Sequence, residues 1–232
     1  MDRVLLSLVV LAAISCGGSA PPAPVRSGEA VDAGPSREPS VGPTTPSTAP
    51  RVVALGDSLT AGLGIPREQA YPSLLQQKLG EKGYVFEVVN AGVSGDTSAD
   101  GLRRANWALE GDVRLLILAL GANDGLRGLP AEQMKKNLKG IIDRARQRGI
   151  PVLLVGMEAP PNYGEQYAAQ FRQVFQDLAK ENTVVFVPFL LEGVAGVMEL
   201  NQPDGIHPTA AGAARIADRL WPVVETMINR AR

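Results

Sequence analysis

The stretch Val52-Val53-Ala54-Leu55-Gly56-Asp57-Ser58-Leu59-Thr60 decides the fold. Four β-prone or small apolar residues and a glycine, free to take an unusual backbone angle, read as a buried strand running into a tight turn. The turn delivers a serine hydroxyl to the carboxyl end of that strand, and in open α/β sheets this edge is where ligands bind. Read alone, the same stretch also fits Asp57 or Ser58 as the cap of a following helix. The rest of the chain has to separate a chemical serine from a structural one.

Downstream, continuous apolar runs alternate with helix-period segments. The runs are residues 52–56, 85–90, 115–120, 152–156 and 184–187. Strands apolar on both faces belong to a parallel sheet covered by helices on each side. The clearest helix covers residues 130–148, with Met134, Leu138, Ile141, Ile142 and Ala145 on one face, Pro130 in its first turn and Gly149 at its C-terminal cap. A last helix is expected from Pro208, turning Ile216, Ala217 and Leu220 inward, with Pro222 kinking or dividing it. Five strands alternating with helices predict an α/β fold, a three-layer α/β/α sandwich on a five-stranded parallel sheet.

Upstream of Arg51 the chain changes character. Residues 1–15 pair Arg3 with an apolar run at 4–14, too short to span a bilayer and suited to a signal peptide. Ala13-Ile14-Ser15-Cys16-Gly17 resembles a bacterial lipobox, which implies lipidation of Cys16 as the new N-terminus. Residues 16–50 hold that cysteine and a Pro/Ser/Ala-rich linker; its eight prolines and near absence of large apolar side chains leave it unable to offset ordering entropy. As a tether it spans roughly 30 Å. The domain expected to fold is 51–232. The protein is expected in the bacterial cell envelope, anchored by lipid or periplasmic; Gly17 after the cysteine favours the outer membrane by lipoprotein sorting logic.

Composition excludes several classes. The 232 residues carry a formal net charge of −1 and no Lys/Arg-rich run, so no nucleic-acid partner is expected. One cysteine and one histidine, Cys16 and His207, rule out an intrachain disulfide and any zinc site needing two histidines or a Cys/His cluster. Neither phosphate-cradling glycine pattern occurs. The serine context lacks the second glycine of G-x-S-x-G, so the strained nucleophile elbow of α/β-hydrolases is not expected.

The polar residues just past the strands converge. Ser58 follows the first, Ser94-Gly95-Asp96 the second, Gly121-Ala122-Asn123-Asp124 the third, and Asp204-Gly205-Ile206-His207-Pro208 comes after the last. A hydroxyl, an imidazole, a carboxylate and amide donors at one sheet edge are the components of acyl transfer. These blocks resemble, in order, those of the SGNH (GDSL) hydrolase superfamily. Within it the chain is similar to the bacterial multifunctional esterase, thioesterase I and lysophospholipase L1 group, over residues from about Val52 to Val224.

The resemblance implies a flavodoxin-like SGNH fold and a serine hydrolase of acyl esters or thioesters that needs no cofactor and no metal. Ser58 is the implied nucleophile, His207 the base and then acid, and Asp204 the carboxylate that holds the imidazole tautomer; Asp204 fits equally a cap for the helix near Pro208. The implied oxyanion hole is the backbone N–H of Ser58 and Gly95 with the Asn123 amide. Gly92 is read as a turn residue, and Asp57 and Asp124 as carboxylates bracing loops. Leu126, Leu129 and Tyr163 are candidates to seat the acyl chain, with Gly125 and Gly128 able to hinge the loop after the third strand. The expected partners are a small acyl ester or thioester and, through the anchor, a membrane. Two other readings stand beside this one: a carbohydrate O-deacetylase of the same superfamily, and a degenerate lipoprotein that binds a ligand without turning it over.

Overall fold

The computed structural model describes residues 49–230. The expected signal peptide, the expected lipidation site and most of the expected linker lie outside these residues. Five strands form one sheet: β1 Arg51–Gly56, β2 Glu87–Gly92, β3 Val113–Ala119, β4 Val152–Val155 and β5 Val185–Val187. All neighbours pair in parallel and the order is β2-β1-β3-β4-β5. This order is the flavodoxin-like one, whose topological switch point lies between β1 and β3.

Around the sheet stand α1 Ser58–Ala61, α2 Tyr71–Glu81, α3 Ser98–Ala108, α4 Ala122–Leu126, α5 Ala131–Gln147, α6 Glu165–Asn182 and α7 Ala210–Arg230. α2 packs on α7, while α5 packs between α3 and α6. Val52 through Leu55 and Leu115 through Leu120 are buried, as central parallel strands covered on both faces must be. The edge strands differ from the expectation. β2 and β5 are only partly buried, because each pairs on one side alone. Val85, expected in the second strand, is outside it and exposed, and β2 starts at Glu87.

The predicted face of α5, Met134, Leu138, Ile141, Ile142 and Ala145, is completely buried. The four larger of these, Met134, Leu138, Ile141 and Ile142, contribute about 1.5–3 kcal/mol each of transfer free energy. Pro130 stands just before α5 rather than inside it. The helix ends where Gly149 takes φ +69°, so that its N–H reaches the Arg146 carbonyl and the Ile150 N–H reaches the Ala145 carbonyl. The last helix starts at Ala210, two residues later than expected, and Pro222 sits inside it without dividing it.

Candidate active site

Each strand of the centre hands its next residues to the same edge. After β1, Asp57 caps α1: its Oδ1 accepts the Leu59 N–H at 3.0 Å, and Ser58 opens the helix. Gly62, at φ +80°, ends the turn with its N–H on the Ser58 carbonyl. Gly56 is required by crowding rather than by a left-handed backbone: a Cβ there would lie 1.9 Å from Thr60 Oγ1 and 2.8 Å from the Ala119 carbonyl oxygen. Asp57 is fully buried and its Oδ2 has no hydrogen-bond partner among the described residues. Burial pushes its carboxyl up to about 6, against the lowering effect of the Leu59 N–H.

The only histidine closes on that turn from the far end of the chain. His207 Nε2 lies 2.9 Å from Ser58 Oγ, and its Nδ1 lies 2.6 Å from Asp204 Oδ2. The other Asp204 oxygen accepts the Ile206 and His207 N–H groups at 2.9 and 3.0 Å. The His207 N–H, followed by its imidazole and the Ile206 N–H, holds the Asp204 carboxyl down at about 2. Asp204 therefore caps its own turn, whereas the cap of α7 is Thr209, whose Oγ1 accepts the Gly212 N–H at 3.3 Å.

Gln202, absent from the sequence expectations, ties this loop to the serine turn. Its backbone N–H donates to the His207 carbonyl at 2.7 Å, and its side-chain amide to the Leu63 and Pro208 carbonyls at 2.7 and 2.9 Å. Gly64 leaves room for that amide, since a Cβ there would lie 2.2 Å from Gln202 Oε1. A loop glutamine bonded to backbone carbonyls has no sequence pattern that would reveal it.

The third set comes from β2 and β3. Gly95 takes φ +86°, a conformation suited to glycine, and its carbonyl accepts Arg127 Nη2 at 2.9 Å. Asn123 sits on α4 and donates one amide hydrogen to the Asp96 carbonyl at 3.0 Å. An amide has two such hydrogens. The second is left to donate elsewhere. Among the described residues, the backbone N–H groups of Ser58 and Gly95 donate to no protein group. Beneath them, Asp124 is buried and accepts the Ser98 N–H at 2.7 Å and its hydroxyl at 2.6 Å, locking α4 to α3; burial is the main cause raising its carboxyl above the ordinary value. Gly92 is packed so closely on α1 that a Cβ would lie 2.3 Å from the Ala61 nitrogen.

Leu126, Leu129 and Tyr163 form a partly exposed apolar surface beyond α4. The Tyr163 hydroxyl donates to the Leu126 carbonyl at 3.1 Å, and Tyr167 to the Leu129 carbonyl at 2.8 Å. The expected loop is thus partly a helix, and its two glycines pack rather than stand open: a Cβ on Gly125 would meet Phe171, and one on Gly128 would lie 2.5 Å from the Tyr163 ring. Among the described residues no three His, Cys, Asp or Glu side chains are grouped to hold a metal ion.

Residues 54–215 match the GDSL-like lipase/acylhydrolase family. The chain belongs to this family. It is 41% identical over 186 residues to esterase TesA of Pseudomonas aeruginosa, covering 80% of this chain and 92% of that protein. To thioesterase 1/protease 1/lysophospholipase L1 of Escherichia coli K12 it is 36% identical over 184 residues, covering 79% and 87%. A crystal structure of TesA superposes with a TM-score of 0.73 at 42% identity, covering 76% of this chain and 99% of that one. The GDSL chain described here is accordingly a carboxylic-ester hydrolase of the esterase, thioesterase and lysophospholipase type.

Proposed function

We propose that this hydrolase cleaves acyl esters or thioesters through Ser58, His207 and Asp204 by way of an acyl-enzyme. The observation that carries the reading is the continuous line from Ser58 Oγ to His207 Nε2 at 2.9 Å and from Nδ1 to Asp204 at 2.6 Å, together with two N–H groups that have no protein acceptor among the described residues. The Ser58 oxygen attacks the substrate carbonyl while its proton passes to His207 Nε2. Asp204, held ionised by the bonds it accepts, keeps the remaining imidazole proton on Nδ1 and stabilises the imidazolium. Negative charge grows on the carbonyl oxygen, where the N–H groups of Ser58 and Gly95 and the Asn123 amide meet it.

Collapse of this intermediate expels the alcohol or thiol, which takes the proton from Nε2. The acyl group is left on Ser58. Water then gives a proton to the same nitrogen as it attacks the acyl carbon, and Nε2 passes that proton to the Ser58 oxygen as its bond to the acyl carbon breaks, releasing the carboxylic acid with Ser58 and His207 restored. The acyl chain would lie along Leu126, Leu129 and Tyr163, which offer apolar surface at the end of α4. The protein acts in the cell envelope, held through a lipid on Cys16.

A series of p-nitrophenyl esters of increasing acyl length tests the substrate class. An apolar seat gains about 0.8 kcal/mol per buried methylene, or roughly fourfold in kcat/KM for each added carbon until the seat is full. The rise is expected from two to about six or eight carbons. Leu126→Ala with Leu129→Ala flattens it while leaving acetyl ester hydrolysis. Strict acetyl preference, unaffected by these substitutions, would instead identify a carbohydrate deacetylase.

A further inference from the structure

The nucleophile turn and the loop of Gly95 follow different strands, β1 and β2, and a largely shielded guanidinium joins them from behind. Arg104, on α3, donates from Nε to Asp96 Oδ2 at 2.6 Å, from Nη1 to the Ala91 carbonyl at 2.7 Å and from Nη2 to the Gly56 carbonyl at 2.8 Å. Gly56 stands two residues before Ser58. Asp96 directly follows Gly95, and its carbonyl holds the Asn123 amide. One planar cation therefore touches both segments that carry the N–H donors and, through Asp96, the residue that positions the third.

The site is built for arginine. The Arg104 and Asp96 side chains are 17% and 13% exposed, which shields their attraction from solvent. Gly101 and Ala108, three residues before and four residues after Arg104, are buried on α3, so this charge is placed on the inward side of the helix. A lysine ammonium, a single point, cannot reach three acceptors spread around a fork.

We infer that Arg104 is a positioning residue for ester hydrolysis, clamping the Gly56 and Ala91 carbonyls and the Asp96 carboxylate so that the Ser58 and Gly95 N–H groups and the Asn123 amide converge on one point. The inference rests on the Ser58, His207 and Asp204 reading above. Oxyanion donors help only when they are fixed before charge develops, so a loosened clamp raises the barrier without weakening substrate binding.

The test compares wild type with Arg104→Ala, Arg104→Lys, Asn123→Ala and the Arg104→Ala, Asn123→Ala double variant, with turnover referred to the folded fraction seen by near-UV circular dichroism. Arg104→Ala is expected to lower kcat by about tenfold to a hundredfold, as sub-ångström misplacement does, with little change in KM. Arg104→Lys stays well below wild type, added guanidinium ion restores part of the Arg104→Ala turnover, and the double variant loses much less than the product of the two single losses. Unchanged kcat in folded Arg104→Ala, a change confined to KM, or independent losses in the double variant would overturn the inference. Should Arg104→Ala fail to fold, Asp96→Asn, which keeps the shape and removes the charge, carries the same expectation of a kcat loss without a KM change. Ser58→Ala runs in the same assay: retained activity there sinks the triad reading itself, whereas a silent Ser58→Ala beside fully active Arg104 variants sinks only the role of Arg104.

Discussion

Beside Ser58, Asp57 keeps one carboxylate oxygen on the Leu59 N–H and buries the other with no hydrogen-bond partner among the described residues. Its carboxyl, raised to about 6 from an ordinary 3.8, holds a proton in the folded state over a pH range where the unfolded chain has lost it. Stability contributed by this group therefore falls as pH rises from about 4 to about 6 and is level beyond, a change on the order of 2–3 kcal/mol. Asp57→Asn keeps an oxygen for the Leu59 N–H and removes the titration. In urea unfolding it should be more stable than wild type at pH 7 and nearly equal at pH 4. Identical pH dependence in both proteins would contradict this account. At this scale, the meeting of the Ser58, Asp204 and His207 side chains was legible because their residue types and their order are chemically unusual. Arg104 and Gln202 were not, because most of their partners are backbone carbonyls, whose positions depend on tertiary packing rather than on neighbouring residue types.

Elements were legible where apolar periodicity was strong, and least so where packing sets the boundary. The buried face of α5 could be read residue by residue, whereas the start of β2 could not: Val85 is β-prone but lies exposed two residues before the edge strand begins. The two glycines near β2 show the same division. Gly92 sits where the strand meets α1, and an added methyl would press on the Ala61 and Thr60 backbone. Overpacking of that kind costs about 1–3 kcal/mol, and Gly92→Ala should lower Tm by roughly 2–12 °C. Gly95 has open space around it, apart from Arg127 Nη2 at 3.9 Å, and a positive φ. Gly95→Ala costs about 1–2 kcal/mol of backbone strain and should show the larger loss of kcat in the folded enzyme. The reverse pattern, measured by calorimetry and steady-state kinetics, would make Gly92 the glycine of the oxyanion hole.

Across the described residues, the segment after every strand exposes at least one large apolar side chain: Leu63 after β1, Val93 after β2, Leu126 at the end of α4 after β3, Tyr163 after β4 and Met198 after β5. Such a rim suits an acyl substrate delivered to Ser58. The meeting of four distant segments follows from parallel strands, whose carboxyl ends all lie at one edge of the sheet, which is why motif order along the sequence pointed to one site. The proposed anchor is tested by detergent partitioning with metabolic palmitate labelling, in which Cys16→Ser should lose the label and the membrane fraction; equal partitioning of both proteins would sink the lipoprotein proposal. The central claim, that Ser58 is the nucleophile activated by His207, is tested most directly by reacting the protein with an alkyl phosphonate ester and measuring its intact mass and peptide map. One adduct per chain is expected, on the peptide carrying Ser58, absent from Ser58→Ala and much slower to form in His207→Ala. An adduct on another residue, or full catalytic activity in a protein whose Ser58 is modified, would contradict it.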